Sequence, residues 1–328
     1  MNKYKKIGLT ALAASLVSVS AHAGEMSVSG SASINVEGYT GENLNAGSGF
    51  SMGNQLTFTG SGELDNGMTV SLSFVLDQND DSTAAAAAYT GGPFDSHSVT
   101  VSSDSLGSLT LAGEGGSSTA TNIDGTAAGD IWDTFDGARG SVVTADPVDD
   151  TSPGDNSLFY TLPALMDGLD VNLSYQPQGS GRESATGWGV SYTGIEGLTA
   201  DYAITDEAGT TTGLSGDQTV YKVSYAFGPI TATVSNSDFD VETATADQET
   251  SSYAVSYTVS DEISITYGVE DIDMGSSTTD AEYQTIEASY TSGGMTISAA
   301  MKDAENVAYG TASNQDFEYF TLGASFAF

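Results

Sequence analysis

After about residue 24 the chain alternates apolar with small or polar side chains in short segments, each bounded by Gly, Asn, Asp or Pro. Sixteen such period-two segments can be read along the sequence. They span residues 25–38, 54–64, 68–77, 95–103, 108–113, 156–162, 169–177, 186–194, 198–206, 218–227, 230–236, 251–259, 263–270, 282–291, 295–302 and 317–328. This period predicts β-strands with one apolar and one polar face. The chain is therefore predicted to be all-β.

The connections between these segments alternate in length. Short turns lie at residues 65–67, 104–107, 163–168, 195–197, 228–229, 260–262 and 292–294, and the longest of the intervening Gly/Ser/Thr/Asp-rich stretches covers about 113–155. An even number of strands with short turns at one rim and long loops at the other is typical of bacterial transmembrane barrels. We predict a 16-stranded antiparallel transmembrane β-barrel over residues 24–328, with short periplasmic turns and long external loops. A soluble β-sandwich would show the same alternation and remains the alternative.

Residues 1–23 have the pattern of a cleaved secretory signal peptide. Lys3, Lys5 and Lys6 precede an apolar stretch from Ile7 to Val19, and a small-x-small site ends at Ala23. The stretch is shorter than the ~20 residues that span a bilayer, which argues against a retained anchor. The chain has no cysteine, which excludes a lipoprotein anchor and disulfides. Export with cleavage after Ala23 is expected.

The charge balance is strongly acidic. The sequence has 7 Lys and Arg against 44 Asp and Glu, and residues 1–23 contribute three of the lysines and no acid. Such a balance argues against nucleic acid or anionic lipid as a partner. Tyr, Phe, Val, Leu and Ile are spread evenly along the chain, which favours an ordered protein over an acidic disordered one.

Strand parity separates the predicted lipid face from the predicted lumen face. Because successive side chains point to opposite sides, the apolar residues face outward and Ser, Thr and Gln line a water-filled interior. The parity places these charged side chains inside: Glu63, Asp170, Asp201, Lys222, Glu287 and Lys302. The excess of carboxylates predicts a preference for cations. The hairpin of strands nine and ten, centred near residues 211–212, predicts that Asp201 and Lys222 are cross-strand neighbours.

Three short stretches carry a family resemblance: the terminal strand 317–328 that ends on Phe328, residues 106–113 and residues 156–163. In these features the chain resembles the general porins of Gram-negative bacteria, which are 16-stranded trimeric diffusion channels. The resemblance implies an outer-membrane location in contact with its lipid, a homotrimer, passage of small hydrophilic solutes, and delivery by the outer-membrane assembly machinery through the Phe328 strand. It also implies that the third long loop, about 113–155, folds into the barrel and narrows it.

The chain departs from that family at the wall opposite the third loop. Family members often carry arginines there and just after the strand that ends at Gly113. Here strands two to five contain no Lys or Arg, and Glu114 follows Gly113. The transverse electric field that is usual in the family is therefore not expected.

The third loop contains acidic and apolar residues together. Ile131, Trp132 and Phe135 predict that the loop packs against the inner wall of the barrel. The charged residues around them are expected to line the constriction, with simple solvation as the alternative: Asp124, Asp130, Asp133, Asp136 and the basic Arg139. No cofactor is predicted. No calcium-binding loop motif is present. Two interpretations of the acidic loops, including 238–249 and 270–282, stay open: loosely bound divalent cations such as Ca²⁺, or plain solvation.

Outward positions differ between the two halves of the chain. Strands seven to thirteen carry many outward aromatic residues, which favour the membrane interfaces. Strands one to five instead carry small outward residues, among them Gly30, Ala32, Gly60 and Gly62. Small residues permit close approach of backbones, so this wall is predicted to be the subunit interface. The alternative is that they ease the curvature of the barrel.

The sequence gives little support to an enzymatic function. His97 is the only histidine after residue 23, no recognisable nucleophile motif accompanies it, and no zinc motif occurs. His97 is expected at the rim or in the lumen, and no catalytic activity is predicted. Two functions remain: a passive, cation-preferring channel, or a surface structural or adhesive barrel with acidic external loops. A channel requires the third loop inside the barrel, whereas an adhesin would project it outward.

Overall fold

The computed structural model describes residues 26–41, 47–77, 95–123, 126–135, 155–178, 184–207, 216–241, 247–275, 277, 279–307, 309 and 316–328. These residues contain sixteen strands, which correspond in number and order to the predicted ones: β1 Met26–Gly41, β2 Gly47–Glu63, β3 Thr69–Asp77, β4 Ser96–Ser103, β5 Gly107–Glu114, β6 Ser157–Thr161, β7 Leu169–Gln176, β8 Ala185–Tyr192, β9 Leu198–Glu207, β10 Gly216–Phe227, β11 Ile230–Val241, β12 Gln248–Ser260, β13 Ile263–Met274, β14 Ala281–Ser292, β15 Met295–Glu305 and β16 Phe317–Ala327. Each strand pairs antiparallel with its sequence neighbours, and β1 pairs with β16 to close the barrel.

The seam between the first and last strands joins the two ends of the described chain. Its register runs from Ser31 opposite Ala327 to Gly41 opposite Phe317. Beyond it, Gly30 and Phe328 exchange two backbone hydrogen bonds of 2.8 and 2.9 Å. A Cβ atom on Gly30 would lie 2.6 Å from the Phe328 ring, so a side chain at residue 30 would displace the ring from its present position.

Several strands extend further than the apolar alternation predicts, at the end of the barrel that carries the long connections. β1 continues to Gly41 instead of ending at 38, β2 begins at Gly47 instead of 54, and β13 continues to Met274 instead of 270. The backbone pairing persists there, for example between Tyr39 and Gly47. Backbone hydrogen bonds need no apolar side chains, so a ladder continues where the apolar face has ended.

The apolar face of the barrel lies on its outer surface. Leu72, Tyr253 and Ile286 are among many large apolar side chains that are well exposed on the outside. A soluble sandwich would bury these side chains between two sheets, so the sandwich alternative is wrong for this closed single-layer sheet. Within the described residues, no helix has both the length and the apolar character to cross a membrane.

The connection between β5 and β6 enters the barrel, as predicted for the third loop. Its described part contains two short 3₁₀ helices, Thr121–Ile123 and Trp132–Phe135. Ile131 and Phe135 of this loop are fully buried against residues of β13, β14, β15 and β16. The apolar core of the described protein therefore lies inside the barrel, between the loop and the wall.

Candidate functional site

The third loop first meets the wall at β7 and β9. The backbone N–H of Thr119 donates to Ser174 Oγ at 3.1 Å, and that of Ala120 donates to Thr205 Oγ1 at 3.1 Å. The Thr119 hydroxyl also lies 3.1 Å from the Thr205 hydroxyl. A Cβ atom on Gly187 would collide with the Thr119 hydroxyl, so the absence of a side chain on β8 lets the loop lie directly on the sheet.

The middle of the loop is held by β10 and β12. Lys222 points into the lumen, where its Nζ donates to the Thr126 carbonyl at 2.9 Å. The Ala128 N–H donates to Ser252 Oγ at 2.9 Å. A Cβ atom on Gly268 would lie 2.6 Å from the Ala128 Cβ, so the loop and β13 are already in close contact here.

A buried carboxylate on β13 binds the tip of the loop. Glu270 has no solvent exposure, and its Oε1 and Oε2 accept the N–H groups of Ile131 and Trp132 at 3.0 and 3.1 Å. These N–H groups open the 3₁₀ helix Trp132–Phe135, where backbone donors have no partner within the helix. Bonds to a charged acceptor are stronger than neutral ones, so Glu270 is the main polar anchor of the loop.

Apolar and aromatic packing completes the anchor. The Phe135 ring lies 5.9 Å from the Tyr283 ring and 6.4 Å from the Tyr39 ring, centroid to centroid. Ile131 and Phe135 join a buried cluster with Ile272 and Phe317. The expectation that these loop residues pack on the inner wall is confirmed.

Lys302 and Tyr39 hold Thr134, which precedes the buried Phe135 in the loop. Lys302 Nζ lies 2.5 Å from Thr134 Oγ1, and the Tyr39 hydroxyl donates to the Thr134 carbonyl at 2.6 Å. The Tyr319 hydroxyl in turn donates to Glu37 Oε2 at 2.5 Å across the seam of the barrel. Both lysines of the strands, Lys222 and Lys302, therefore donate to the third loop.

The acidic residues predicted for the constriction fall partly within the described loop. Asp133 is exposed to the lumen on the turn that carries the buried Phe135, and Asp130 is half-buried and accepts a 2.9 Å hydrogen bond from Thr126 Oγ1. Asp124, Asp136 and Arg139 lie outside the described residues.

The predicted lumen charges are placed by the strand pairing as follows. The register of β9 and β10 pairs Asp201 with Lys222, as predicted, and Asp201 accepts a short hydrogen bond from Ser191 Oγ. Glu287 pairs with Thr266 on the face of Glu270. Asp170 pairs with Ser191, and Glu63 pairs with Thr69 near the short turns.

Sequence reasoning did not select Glu37 and Glu270, although both have lumen parity. On sequence alone residue 270 counts within the acidic loop 270–282, whereas the structure buries Glu270 inside the barrel on β13. Its role as an anchor depends on which loop atoms meet it, and no sequence pattern contains that information.

The four predicted interface positions have different surroundings. Gly30 is covered by the Phe328 ring of the same chain, and Ala32 pairs with Phe326 at the seam. A Cβ atom on Gly60 would have Met26 Cγ 3.8 Å away as its nearest neighbour, and one on Gly62 would meet nothing within 4 Å. Packing within the chain thus explains Gly30 but leaves the outer surface at Gly60 and Gly62 open.

His97 lies at an irregularity in the β4–β5 ladder. Its Nδ1 is 3.9 Å from Glu114 Oε2, and both side chains are partly exposed. The imidazole covers Gly113, whose missing side chain gives it room. In the part of the chain that the structure covers, no group of three or more His, Cys, Asp or Glu side chains is arranged to hold a metal ion.

A closed 16-stranded barrel with a polar lumen and a loop tethered inside it defines a membrane channel of the porin class. The sequence model of the Gram-negative porin family matches residues 8–328. The chain belongs to this family, whose members are channels rather than enzymes and lie in the outer membrane.

Solved structures show the same fold at low sequence identity. An anion-selective porin from Comamonas acidovorans superimposes with a TM-score of 0.70 and 14% identity, over 93% of this chain and 100% of that one. A triple mutant of the porin from Rhodopseudomonas blastica gives a TM-score of 0.64 and 16% identity over the same shares. No curated protein matches the sequence significantly.

The Glu270 anchor leads to a first prediction. Glu270→Gln keeps one acceptor and turns an amide donor toward the second loop N–H, so the loop should detach intermittently. We expect wild-type trafficking but a noisier open-channel current in planar bilayers, and a loss of about 1–3 kcal/mol of stability from the unsatisfied buried donor.

Glu63→Gln is the matched control, because it removes a lumen carboxylate near the short turns that has no bond to the loop or to its lysine tethers among the described contacts. It should leave the current noise unchanged. Equal noise in the two variants would show that Glu270 does not hold the loop.

Proposed function

We propose that this porin is a passive channel for small hydrophilic solutes and ions with a preference for cations, exported with cleavage after Ala23. One observation carries the ionic preference: both strand lysines, Lys222 and Lys302, donate to the third loop. Their positive charge is therefore held against loop oxygen atoms at the wall. Within the described strands these two lysines are the only Lys or Arg residues, so they face a larger number of lumen carboxylates.

The lumen wall formed by β1 to β5 adds to the excess of carboxylates over basic residues. No Lys or Arg occurs anywhere from residue 24 to residue 138, a stretch that contains β1 to β5. Their lumen faces carry mainly Ser and Thr, with Glu37, Glu63 and Asp77 as carboxylates. Fixed negative charge in a narrow passage with low-dielectric walls raises the local concentration of cations.

Reversal potentials in a KCl gradient test this preference. We expect K⁺ to be favoured over Cl⁻, with a ratio that falls as salt concentration rises because mobile ions screen the carboxylates. Asp133→Asn should lower the ratio, whereas Asp104→Asn in a short turn should not. An anion-preferring wild-type channel would overturn the proposal.

The position of the third loop favours the channel over the adhesive alternative. An adhesive barrel would project its long loops outward, but the described part of this loop is bound to the inner wall from Thr119 to Phe135. Discrete conductance steps from the purified protein in a planar bilayer are the direct test of the channel itself.

We further propose a homotrimer whose subunits meet at the outer surface of the early strands, and delivery by the outer-membrane assembly machinery through the Phe328 strand. The open outer surface at Gly60 and Gly62 supports the interface, because none of the described residues fills it. Gly30 is a poor probe of this interface, since a larger residue there would displace Phe328.

Replacement of both Gly60 and Gly62 by Trp should dissociate the oligomer on unheated gels, because two large rings would hold the backbones apart. Val190→Trp on the outer face of β8 is the control and should leave the oligomer intact. A double variant that still migrates as the wild-type oligomer would contradict this interface.

Carboxylates also crowd the outer face of the barrel at the end with the long connections. Cross-strand neighbours form like-charged rows: Asp217 lies between Asp206 and Asp240, Glu249 between Asp238 and Asp273, Glu282 between Asp271 and Glu305, and Asp303 opposite Glu318. Like charges directly opposite each other destabilise a sheet. We propose that divalent cations such as Ca²⁺ stabilise this rim as loosely held counter-ions, with no discrete site.

The midpoint of thermal unfolding in detergent should therefore rise with millimolar Ca²⁺ more than with NaCl of equal ionic strength. Replacing Asp217 and Glu249 by Asn and Gln should raise the midpoint without Ca²⁺ and reduce the Ca²⁺ effect. Identical responses to Ca²⁺ and NaCl would leave plain solvation as the correct description.

A further inference from the structure

The seam between β1 and β16 differs from every other strand pair of the barrel, because no turn or loop joins its two strands directly. All other pairs consist of strands that follow each other in the sequence. In those pairs the connection keeps the partners close, whereas β1 and β16 lie at opposite ends of the chain. Closing a longer stretch of chain costs more conformational entropy. The seam therefore depends more than the other pairs on contacts made by other segments.

The two ends of the seam are held in different ways. At the end near the chain termini, Gly30 and Phe328 exchange two backbone hydrogen bonds. At the other end, Gly41 lies opposite Phe317, and long connections follow β1 and precede β16. We call this second end the upper end of the seam. Its ladder needs support from elsewhere in the molecule, because the terminal residues do not reach it.

The tip of the third loop, residues 131–135, contacts both strands at the upper end of the seam. The Tyr39 hydroxyl of β1 donates to the Thr134 carbonyl at 2.6 Å, and the Tyr39 ring lies 6.4 Å from the Phe135 ring, centroid to centroid. Tyr319 of β16 packs against the buried cluster that contains Phe135. The Tyr39 and Tyr319 rings lie 4.9 Å apart across the seam. The loop tip therefore lies against the seam from inside the barrel.

The same tip is anchored on strands away from β1. Glu270 of β13 accepts the N–H groups of Ile131 and Trp132, and Lys302 of β15 donates to Thr134 Oγ1. Two strands, β14 and β15, separate β13 from β16. A segment that is fixed on β13 and β15 and is also bonded to β1 spans the seam. Separation of β1 from β16 would break its contact with β1, and release of the tip would remove that contact from the seam.

We propose that the loop tip is a strap across the β1–β16 seam, so that docking of the third loop and closure of the barrel are coupled. Tyr39 is the positioning residue that links the two, since its hydroxyl binds the loop and its ring lies against β16. The constriction is then complete only in a closed barrel, and a docked loop keeps the barrel closed. Because a coupling free energy is reciprocal, a change at either place is felt at the other. The strap does not depend on which solutes the channel passes.

Hydrogen–deuterium exchange of the purified protein in detergent, read by mass spectrometry, tests the strap from the side of the seam. Tyr39→Phe removes the hydroxyl and keeps the ring. We expect the amides of residues 35–41 and 317–323 to exchange about two- to tenfold faster than in the wild type, the effect of one net hydrogen bond. The amides of the loop tip should also exchange faster. Tyr160→Phe is the matched control, because it removes a hydroxyl-to-carbonyl bond of 2.5 Å on β6, and it should leave both regions at the wild-type rate.

The reciprocal variant, Glu270→Gln, loosens the loop tip from β13. Among the described contacts, Glu270 has no bond to β1 or β16. A purely local role of Tyr39 within β1 predicts wild-type exchange at the seam in this variant, whereas the strap predicts exchange about two- to tenfold faster. Glu63→Gln is its control and should leave the seam unchanged. The double variant of Tyr39 and Glu270 should show less than the product of the two single effects, because both changes release the same strap.

Faster exchange at the loop tip combined with wild-type exchange at the seam in Glu270→Gln would overturn the strap. An equal acceleration in Tyr160→Phe or Glu63→Gln would also overturn it, because it would indicate a general loss of stability. Heat-modifiable migration on gels checks the folding of each variant. If Glu270→Gln does not fold, Phe135→Leu loosens the tip from the loop itself and gives the same test. Exchange rates need no conducting channel, so failure of the strap and failure of the channel function are distinguishable.

Discussion

Closure of the backbone hydrogen-bond ladder between β1 and β16 is the constraint on which the rest of the molecule depends. Lipid offers no partners for N–H and C=O groups, so a sheet in a membrane must have no open edge. The exchange of two hydrogen bonds between Gly30 and Phe328 completes that closure at the ends of the chain. A closed sheet in lipid carries its apolar side chains outward, which leaves a polar interior. The buried apolar cluster of Ile131, Phe135 and Ile272 is the exception, because the third loop covers it from inside.

Charged residues of the lumen wall bind the third loop. Glu270, Lys222 and Lys302 are charged residues on the lumen face, and all three are bonded to loop atoms. Their bonds therefore fix the position of the loop, which carries the exposed carboxylate of Asp133. The family resemblance implies arginines opposite the loop, and here that wall carries serine and threonine.

Carboxylates are also numerous on the outer face of the barrel, where they lie opposite one another on neighbouring strands. Cross-strand carboxylates such as Asp206, Asp217 and Asp240 repel one another and gain nothing from lipid. On the described strands they occur where the ladder continues past the apolar band, toward the long connections. There the sheet is held by its backbone ladder, so side chains that oppose pairing are tolerated at the rim and would not be tolerated in the membrane.

The sequence by itself determined the strands, their order, the short and long connections, the faces of each strand and the register of Asp201 with Lys222. All of these follow from the period of two and from hairpin geometry, which are local properties of the chain. It also indicated that Ile131 and Phe135 pack against the wall, since apolar residues in a polar loop need cover. Only the tertiary structure decided which atoms meet. Glu270 as the loop anchor, the lysines as tethers and the Phe328 ring over Gly30 bring together residues far apart in sequence, and pairings of that kind follow from the closed curvature of the barrel, which no local pattern encodes.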